Sequence, residues 1–222
     1  SGLFGCDAVC LMSEAENKPS STDIASTQDP AYARRLETLE AQSWKQRLDV
    51  QAPYRWNLRR LHPGYTLDIG CGIGRNLTHL EGKGVGVDHN LDCVATSRER
   101  GLTAYSPDEF LASADAKIAG FDSLLLAHVI EHLDAPTTDD LIATYSPYVR
   151  EGGRIIVITP QEAGYRSDST HVRFVDHAAI ELLLSKHGWK TASKQSFPFP
   201  RVVGRVFPYN EFVVVGERNP DA

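Results

Sequence analysis

The stretch Thr66–Arg75, which reads TLDIGCGIGR, decides the fold of this chain. A short apolar run containing Asp68 is followed by three glycines at alternate positions, Gly70, Gly72 and Gly74. The residues that follow have the pattern of a helix start, so the stretch predicts a strand, a glycine turn and a helix N-terminus. Glycine suits such a turn because a Cβ would hinder both the turn and the close approach of a ligand to the backbone.

A second predicted strand, Val85–Asp88, ends in a carboxylate. The D-x-G-x-G-x-G order, with Asp68 before the glycines, differs from the G-x-G-x-x-G turn of dinucleotide-binding folds. The stretch resembles motif I of the class I S-adenosylmethionine (SAM) methyltransferases. The resemblance implies that Asp68 and the glycine turn bind SAM and that Asp88 binds its ribose hydroxyls.

Strand and helix patterns alternate over residues 65–160, which predicts a doubly wound, mostly parallel sheet of the α/β class. Two more strands, Trp189–Phe197 and Glu211–Gly216, bring the predicted sheet to seven strands of the Rossmann-like methyltransferase type. The remaining predicted segments are strands Tyr65–Ile69, Leu102–Tyr105, Phe121–Ala127 and Arg154–Thr159, helices Ala31–Val50, Tyr54–Leu61, Leu91–Arg100, Thr138–Val149 and Asp176–His187, and a polar loop Gln161–Arg173.

Length and composition predict one domain, residues 31–219, with N-terminal capping helices at 31–63. We expect residues 1–30 to be a disordered leader, of which residues 1–11 are a cloning remnant or lie upstream of Met12, the only methionine. The formal net charge of −6 disfavours nucleic acid as a partner. No apolar run is long enough for a membrane span, and the scattered cysteines are typical of a reducing cytoplasm.

Five further residues complete the predicted cofactor site. By the resemblance, the loop after the third strand meets adenine, and Asp108 or Glu109 is the candidate for its exocyclic amine. An alternative role for this loop is to cap the next helix. The other three are His89, where the backbone passes the ribose, Ala127, at the end of the fourth strand, and Tyr54, on a capping helix.

A histidine cluster follows the fourth strand in the motif His128-x-x-Glu131-His132. Residues three and four apart share one face of a helical turn, so His128 is expected beside Glu131 and His132. His171 lies in the loop after the fifth strand, and adjacent strand ends of a parallel sheet meet at one edge. We therefore expect the three imidazoles and the carboxylate to converge near the transferred methyl group.

Three interpretations of this cluster stay open. The E-x-x-E-H stretch of small-RNA 2′-O-methyltransferases and ubiquinone-pathway O-methyltransferases is similar to it, which implies a divalent metal held by His128, Glu131, His132 and His171. His128 replaces the first glutamate of that stretch, so Mn²⁺, Co²⁺ or Zn²⁺ suits the donor set better than Mg²⁺. Alternatively, one of the histidines is a catalytic general base. In the third, the motif only caps a helix.

Taken together, these features predict a SAM-dependent O-methyltransferase acting on a small hydroxyl compound, a sugar or an oligosaccharide. The overall likeness is to ubiquinone-pathway-type methyltransferases and, in residues 44–75, to actinobacterial sugar O-methyltransferases. The alternatives are an N- or C-methyltransferase of a small metabolite, and a catalytically silent SAM-fold module that acts on a partner. The aromatic, proline-rich connection over residues 197–209 is expected to be a substrate lip or a homodimer contact.

Overall fold

The computed structural model describes Asp49 and residues 51–218. The leader predicted for residues 1–30 and, apart from Asp49, the helix predicted for Ala31–Val50 lie outside these residues. No helix within the described part of the chain has the length and hydropathy of a membrane-crossing segment.

A seven-stranded sheet in the order β3-β2-β1-β4-β5-β7-β6 forms the centre of the molecule. Strands β1 to β5 run parallel, and β7 is antiparallel to both β5 and β6. The strands are β1 Thr66–Ile69, β2 Gly84–Val87, β3 Ala104–Tyr105, β4 Phe121–Ala127, β5 Val149–Pro160, β6 Trp189–Phe197 and β7 Glu211–Arg218. The predicted doubly wound α/β fold is confirmed. Strands β2 and β3 are added on one side of β1 and strands β4 and β5 on the other, so the topological switch point lies between β1 and β4.

Seven helices in the described residues connect these strands and cover the sheet. They are α1 Ala52–Arg60, α2 Arg75–His79, α3 Leu91–Glu99, α4 Pro107–Ala112, α5 Ala135–Tyr145, α6 Glu162–Ser167 and α7 His177–Lys186. Short 3₁₀ helices occupy Ile130–His132, Ser146–Tyr148 and Arg201–Arg205.

The apolar runs of the central strands are buried on both faces, as a covered parallel sheet requires. Leu124 and Leu126 of β4 belong to the cluster on one face, and Leu125 packs with Leu58 of α1 on the other. All three β4 leucines have no exposed surface, and burying such a side chain contributes about 1.5–3 kcal/mol. The sheet therefore holds its strand ends in fixed positions relative to one another.

Several predicted boundaries were wrong: β5 and β7 are longer than predicted, β3 is shorter, and three other segments differ for local reasons. The helix predicted at Thr138–Val149 starts earlier, because Asp134 Oδ1 accepts the Thr137 N–H at 2.9 Å and caps α5. Pro147, which has no N–H to donate, then lies in a 3₁₀ turn rather than in the helix. The polar loop predicted at Gln161–Arg173 contains α6. The helix predicted at Tyr54–Leu61 begins earlier, at Ala52, with Pro53 in its first turn, a position that proline tolerates well.

Candidate active site

The glycine turn joins the ends of β1 and β2. Gly70, Gly72 and Gly74 all have left-handed backbone angles, with φ of 71°, 54° and 80°. The N–H groups of Gly70 and Cys71 both donate to the Val87 carbonyl, at 2.8 and 3.2 Å. A Cβ at Gly70 would lie 2.5 Å from Val129 Cγ2. Only glycine therefore meets both the backbone angle and the space at this position.

Asp88 follows β2 and is 7 % exposed. Its Oδ2 accepts the Gly72 N–H at 2.8 Å, and its Oδ1 accepts the Asn90 N–H at 2.9 Å. Each oxygen keeps a second lone pair, because a carboxylate has about four acceptor positions. The carboxylate is thus fixed in orientation and can still accept two hydroxyl groups, as ribose binding requires.

Asp68 is a buried acid without a hydrogen bond to either carboxylate oxygen within the described residues. Burial raises its pKa to about 8, the Asn76 side chain opposes part of this rise, and the nearby Asp88 charge adds to it. Buried polar groups in native proteins nearly always have partners. Asp68 is therefore the group in the cofactor end of the site that most needs a cationic or hydrogen-bonding ligand.

The loop after β3 is a helix cap. Ser106 Oγ accepts the Glu109 N–H at 3.3 Å, and Glu109 Oε2 accepts the Ser106 N–H at 2.8 Å. Glu109 Oε2 also accepts from Arg98 Nη2 at 2.8 Å. Asp108 is exposed in the first turn of α4, and His89 Nδ1 lies 3.7 Å from Asp88 Oδ1. The capping role considered for this loop is confirmed for Ser106 and Glu109, and the adenine role stays a prediction.

A cavity opens beside the carboxyl ends of β4 and β5. Tyr54, Ala127, His128 and Glu211 line it, together with Asn76 of α2. The Tyr54 hydroxyl donates to the Tyr209 carbonyl at 2.8 Å, which ties α1 to the connection between β6 and β7. The structure thus places the predicted cofactor residues Tyr54 and Ala127 at one cavity, next to the first residue of the histidine motif.

Glu131, His132 and His171 lie together, each offering one ligand atom, and these three atoms are within 4.8 Å of one another. The two imidazole centroids are 4.7 Å apart. Glu131 is fully buried, and its Oε2 has no hydrogen bond within the described residues. The predicted convergence of these three side chains is therefore present in the structure.

Both histidines of this group are held through their Nδ1 atoms. His132 Nδ1 lies 3.1 Å from the Thr170 carbonyl, and His171 Nδ1 lies 2.8 Å from the Tyr165 carbonyl. The Thr170 hydroxyl, also 3.1 Å from His132 Nδ1, donates its proton to Asp168 Oδ1 at 2.7 Å. A carbonyl can only accept, so in the neutral ring each Nδ1 carries the proton and each Nε2 has a lone pair for a metal or a proton. Burial lowers the pKa of His132, the Glu131 charge opposes this, and His171 adds to it. His132 is therefore neutral at pH 7.

His128 lies on the other side of Glu131. Its Nδ1 is 3.2 Å from Glu131 Oε1 and its Nε2 is 2.9 Å from Glu211 Oε1. The His128 side chain is 45 % exposed. Desolvation by its neighbours alone would lower its pKa, but the hydrogen bonds to Glu131 and Glu211 outweigh it and raise the pKa to about 10. The geometry brings Glu131, His132 and His171 together and leaves His128 outside that group, because Ile130–His132 forms a 3₁₀ helix instead of a regular α-helix that includes His128.

Glu211 is the residue of this site that the sequence analysis missed. It begins β7 and is 9 % exposed. The one available signal was an acid at the head of the apolar run EFVVV, where a buried strand normally carries no charge. Sequence alone could not indicate its partner, since His128 is distant in the chain.

The family comparison comes from a methyltransferase-domain model, which matches residues 32–194 of this chain. A search of curated protein sequences found no significant match.

Solved structures with the same fold include a SAM-dependent methyltransferase from Thermotoga maritima, with 19 % identity, a TM-score of 0.64 and coverage of 85 % of this chain and 98 % of that one. Magnesium protoporphyrin IX methyltransferase from Synechocystis with bound S-adenosylhomocysteine has 14 % identity and a TM-score of 0.63, over 90 % and 100 % of the two chains. A SAM-dependent methyltransferase from Archaeoglobus fulgidus has 19 % identity and a TM-score of 0.58, over 79 % and 98 %.

Proposed function

This chain belongs to the class I SAM-dependent methyltransferases, and on that premise we propose that it methylates a hydroxyl group of a small molecule, a sugar or an oligosaccharide. The observation that carries O-methylation is the group Glu131, His132 and His171, which His128 links to the cavity at the end of β4 through its contact with Glu131. An alcohol is a poor nucleophile at neutral pH, so its methylation benefits from a group that removes or weakens the O–H proton. Amine acceptors need less of this help.

The cofactor end of the site fits SAM in shape and charge. The glycine turn leaves backbone room, and the fixed Asp88 carboxylate can accept the ribose hydroxyls. The orphaned Asp68 carboxylate suits the positive charges of SAM, whose sulfonium and ammonium groups are cations. When bound, SAM supplies a methyl group activated by its attachment to a sulfonium sulfur.

His132 and His171 then act on the acceptor. We assign to the neutral His132 Nε2 the proton of the acceptor hydroxyl, which leaves as the oxygen attacks the methyl carbon. The Thr170 and Tyr165 carbonyls hold the two rings in the tautomer that this role needs. His128 does not suit the role, because both of its nitrogens face carboxylates and the raised pKa keeps it protonated.

The same three side chains also fit a divalent metal. Two imidazole nitrogens and one carboxylate oxygen suit Mn²⁺, Co²⁺ or Zn²⁺ better than Mg²⁺. The buried, unpartnered Glu131 Oε2 supports this interpretation, since an orphaned carboxylate oxygen is favourable where it meets a cation. A metal bound there would lower the pKa of an acceptor hydroxyl. The proposal therefore includes metal-assisted and histidine-assisted forms, which differ in their response to a chelator.

The acceptor and its setting complete the proposal. The net charge of −6 favours a small molecule over a nucleic acid. Phe199 and Tyr209 are 46 % and 60 % exposed in the connection next to Tyr54, where rings of an acceptor or of a second copy of the chain can pack. Cys71 and Cys93 are buried and form no disulfide, which supports a reducing cytoplasm.

A transfer assay with methyl-labelled SAM tests this function. Purified protein is incubated with a panel of mono- and oligosaccharides, phenolic hydroxyl compounds and amines, with and without chelator and with Mn²⁺, Co²⁺ or Zn²⁺. We expect label on a hydroxyl compound, stimulated by one metal or insensitive to chelator. Transfer to an amine that survives loss of His132 and His171 would favour N-methylation instead. Failure to bind S-adenosylhomocysteine (SAH) would favour a catalytically silent module.

A further inference from the structure

We propose that Glu211 and His128 are positioning residues that orient the Glu131 carboxylate. Its Oε1 then contacts His128, and its Oε2 faces His132 and His171. This inference rests on the metal-assisted form of the proposed function, and it assigns to Glu211 and His128 a role outside the group that meets the ligand.

The first part of this arrangement is the fixed position of Glu211. Its backbone pairs with Pro160 at the end of β5, and its carbonyl accepts the Gln161 side-chain amide at 2.9 Å. Gln161 itself is fully buried and is further anchored to Ser196 at 2.7 Å. The Glu211 carboxylate, 2.9 Å from His128 Nε2, therefore comes from a rigid part of the sheet.

The second part is the backbone of His128. Its φ is +59°, in the left-handed region, and its N–H donates to the Ile158 carbonyl at 2.9 Å. A non-glycine residue in a sparsely populated backbone region costs on the order of 1–3 kcal/mol and persists only where its surroundings fix it. Here the left-handed turn at the end of β4 sets the imidazole between Glu211 and Glu131.

The third part is the asymmetry of the Glu131 carboxylate. Oε1 lies 3.2 Å from His128 Nδ1, whereas Oε2 is buried without a hydrogen bond in the described residues. The backbone is also held, because the Glu131 carbonyl accepts the N–H groups of Val172 and Arg173 at 2.9 and 3.1 Å. Those two residues directly follow His171, so the same contacts bring the loop of His171 to Glu131.

Each of the three grouped side chains thus has an outer partner. The Thr170 carbonyl holds His132, the Tyr165 carbonyl holds His171, and His128, backed by Glu211, holds Glu131. Outer partners of this kind orient metal ligands, and their loss typically weakens metal affinity or activity by about 10–100-fold. Of these three outer partners, two are single backbone carbonyls, whereas the third is a pair of side chains, His128 and Glu211.

Cobalt binding to the purified protein tests the proposal without an acceptor. Co²⁺ is titrated into wild type, Glu211→Ala, Glu211→Gln and Asp139→Asn, and both the visible absorption of bound Co²⁺ and its affinity are recorded. We expect Glu211→Ala to weaken Co²⁺ about 10–100-fold. Glu211→Gln keeps an acceptor for His128 and should stay within a few-fold of wild type. Asp139→Asn is the control. Asp139 pairs with His187 at the same 2.9 Å distance but lies outside the site, so this variant should have no effect on Co²⁺ affinity.

The outcomes separate this inference from the proposed function. Equal Co²⁺ affinity in wild type and a folded Glu211→Ala protein would overturn the positioning role. Absence of Co²⁺ binding to wild type would also overturn it. SAH binding measured on the same wild-type sample then tells whether the cofactor site, and with it the methyltransferase function, stands. If Glu211→Ala does not fold by circular dichroism, His128→Asn tests the same support, with the same expected loss.

Discussion

The two ends of the site are built in different ways. At the cofactor end, adjoining backbone N–H groups fix Asp88, and the glycine turn is contained within ten consecutive residues. At the histidine end, side chains from the turn after β4, from the loop after α6 and from β7 meet across long sequence distances. The first end is a local motif to which we assign SAM binding, whereas the second is a tertiary assembly to which we assign the acceptor chemistry.

If the two ends have these separate roles, substitutions at the histidine end should affect turnover, and substitutions at the cofactor end should affect cofactor affinity. The expected effects range from a large loss of turnover at the histidine end to a small change in stability or SAH affinity at the loop after β3.

The largest expected effect is on turnover at the histidine end. His132→Ala removes the proposed proton acceptor, and such groups contribute about 10²–10⁴-fold to rate. We expect a loss of that size in methyl transfer with SAH affinity unchanged, measured by labelled transfer and by calorimetry. His187→Ala, which removes a histidine paired with Asp139 elsewhere, is the control and should keep wild-type turnover. A wild-type rate of methyl transfer in His132→Ala would contradict the proposed role of His132 as the proton acceptor.

At the cofactor end, Asp88→Ala should weaken SAH binding by about 1–3 kcal/mol, the scale for hydrogen bonds to a charged group. The measurement is a calorimetric titration of SAH at pH 7.5. Turnover at saturating SAM should fall far less than in His132→Ala, because Asp88 does not touch the acceptor. An unchanged affinity would contradict the ribose-binding role inferred for this carboxylate.

A smaller effect concerns the pH dependence of cofactor binding. The pKa of Asp68 is raised to about 8 in the free protein, so its carboxyl is largely protonated below that pH. A cationic ligand binds the ionised form better and lowers this pKa, so binding releases a proton. SAH affinity should therefore rise with pH between 6 and 8, by up to about tenfold per unit, and then level off.

Asp68→Asn is the matched variant for this prediction, because it keeps the shape of the side chain and removes its titration. Its SAH affinity should be flat over the same range. A pH dependence identical to that of wild type would assign the titration to another group. Proton release can be measured directly by comparing binding heats in buffers of different ionisation enthalpy.

The smallest effect separates two roles of the loop after β3. Glu109 is engaged by Ser106 and Arg98, whereas Asp108 is exposed in the first turn of α4. Glu109→Ala should therefore lower the unfolding temperature slightly, because it removes the side chain that accepts the Ser106 N–H in the capping box. Asp108→Asn, if Asp108 holds the adenine amine, should instead weaken SAH by about 1 kcal/mol. Thermal unfolding and SAH titration on both proteins distinguish the two roles.

Much of the fold could be predicted because its signals are local. The apolar run of β4 gave its bounds as observed, the bounds predicted for β6 are also those observed, and the alternation of strands and helices gave the parallel sheet. The early start of α5 could not be predicted from apolar spacing, since Asp134 rather than the periodicity sets it. Local hydrogen bonds of this kind compete with the pattern at each helix end.

The candidate site divides in the same way. Asp88 could be placed from its position after a strand, and the convergence of Glu131, His132 and His171 from strand ends that share one edge. The orientation of His128 toward two carboxylates could not be predicted, because it depends on a left-handed backbone angle and on Glu211, which is 83 positions away in the sequence. Sequence gives the residues at a sheet edge, and packing decides which of them face one another.

The most direct test of the central claim is a calorimetric titration of SAH into wild type, Asp88→Ala and the double variant His132→Ala/His171→Ala. We predict one SAH bound per chain in wild type, the same affinity in the double variant, and an affinity about 1–3 kcal/mol weaker in Asp88→Ala. Absence of SAH binding to wild type would contradict the cofactor assignment. A double variant weakened as much as Asp88→Ala would contradict the separation of cofactor binding from acceptor chemistry.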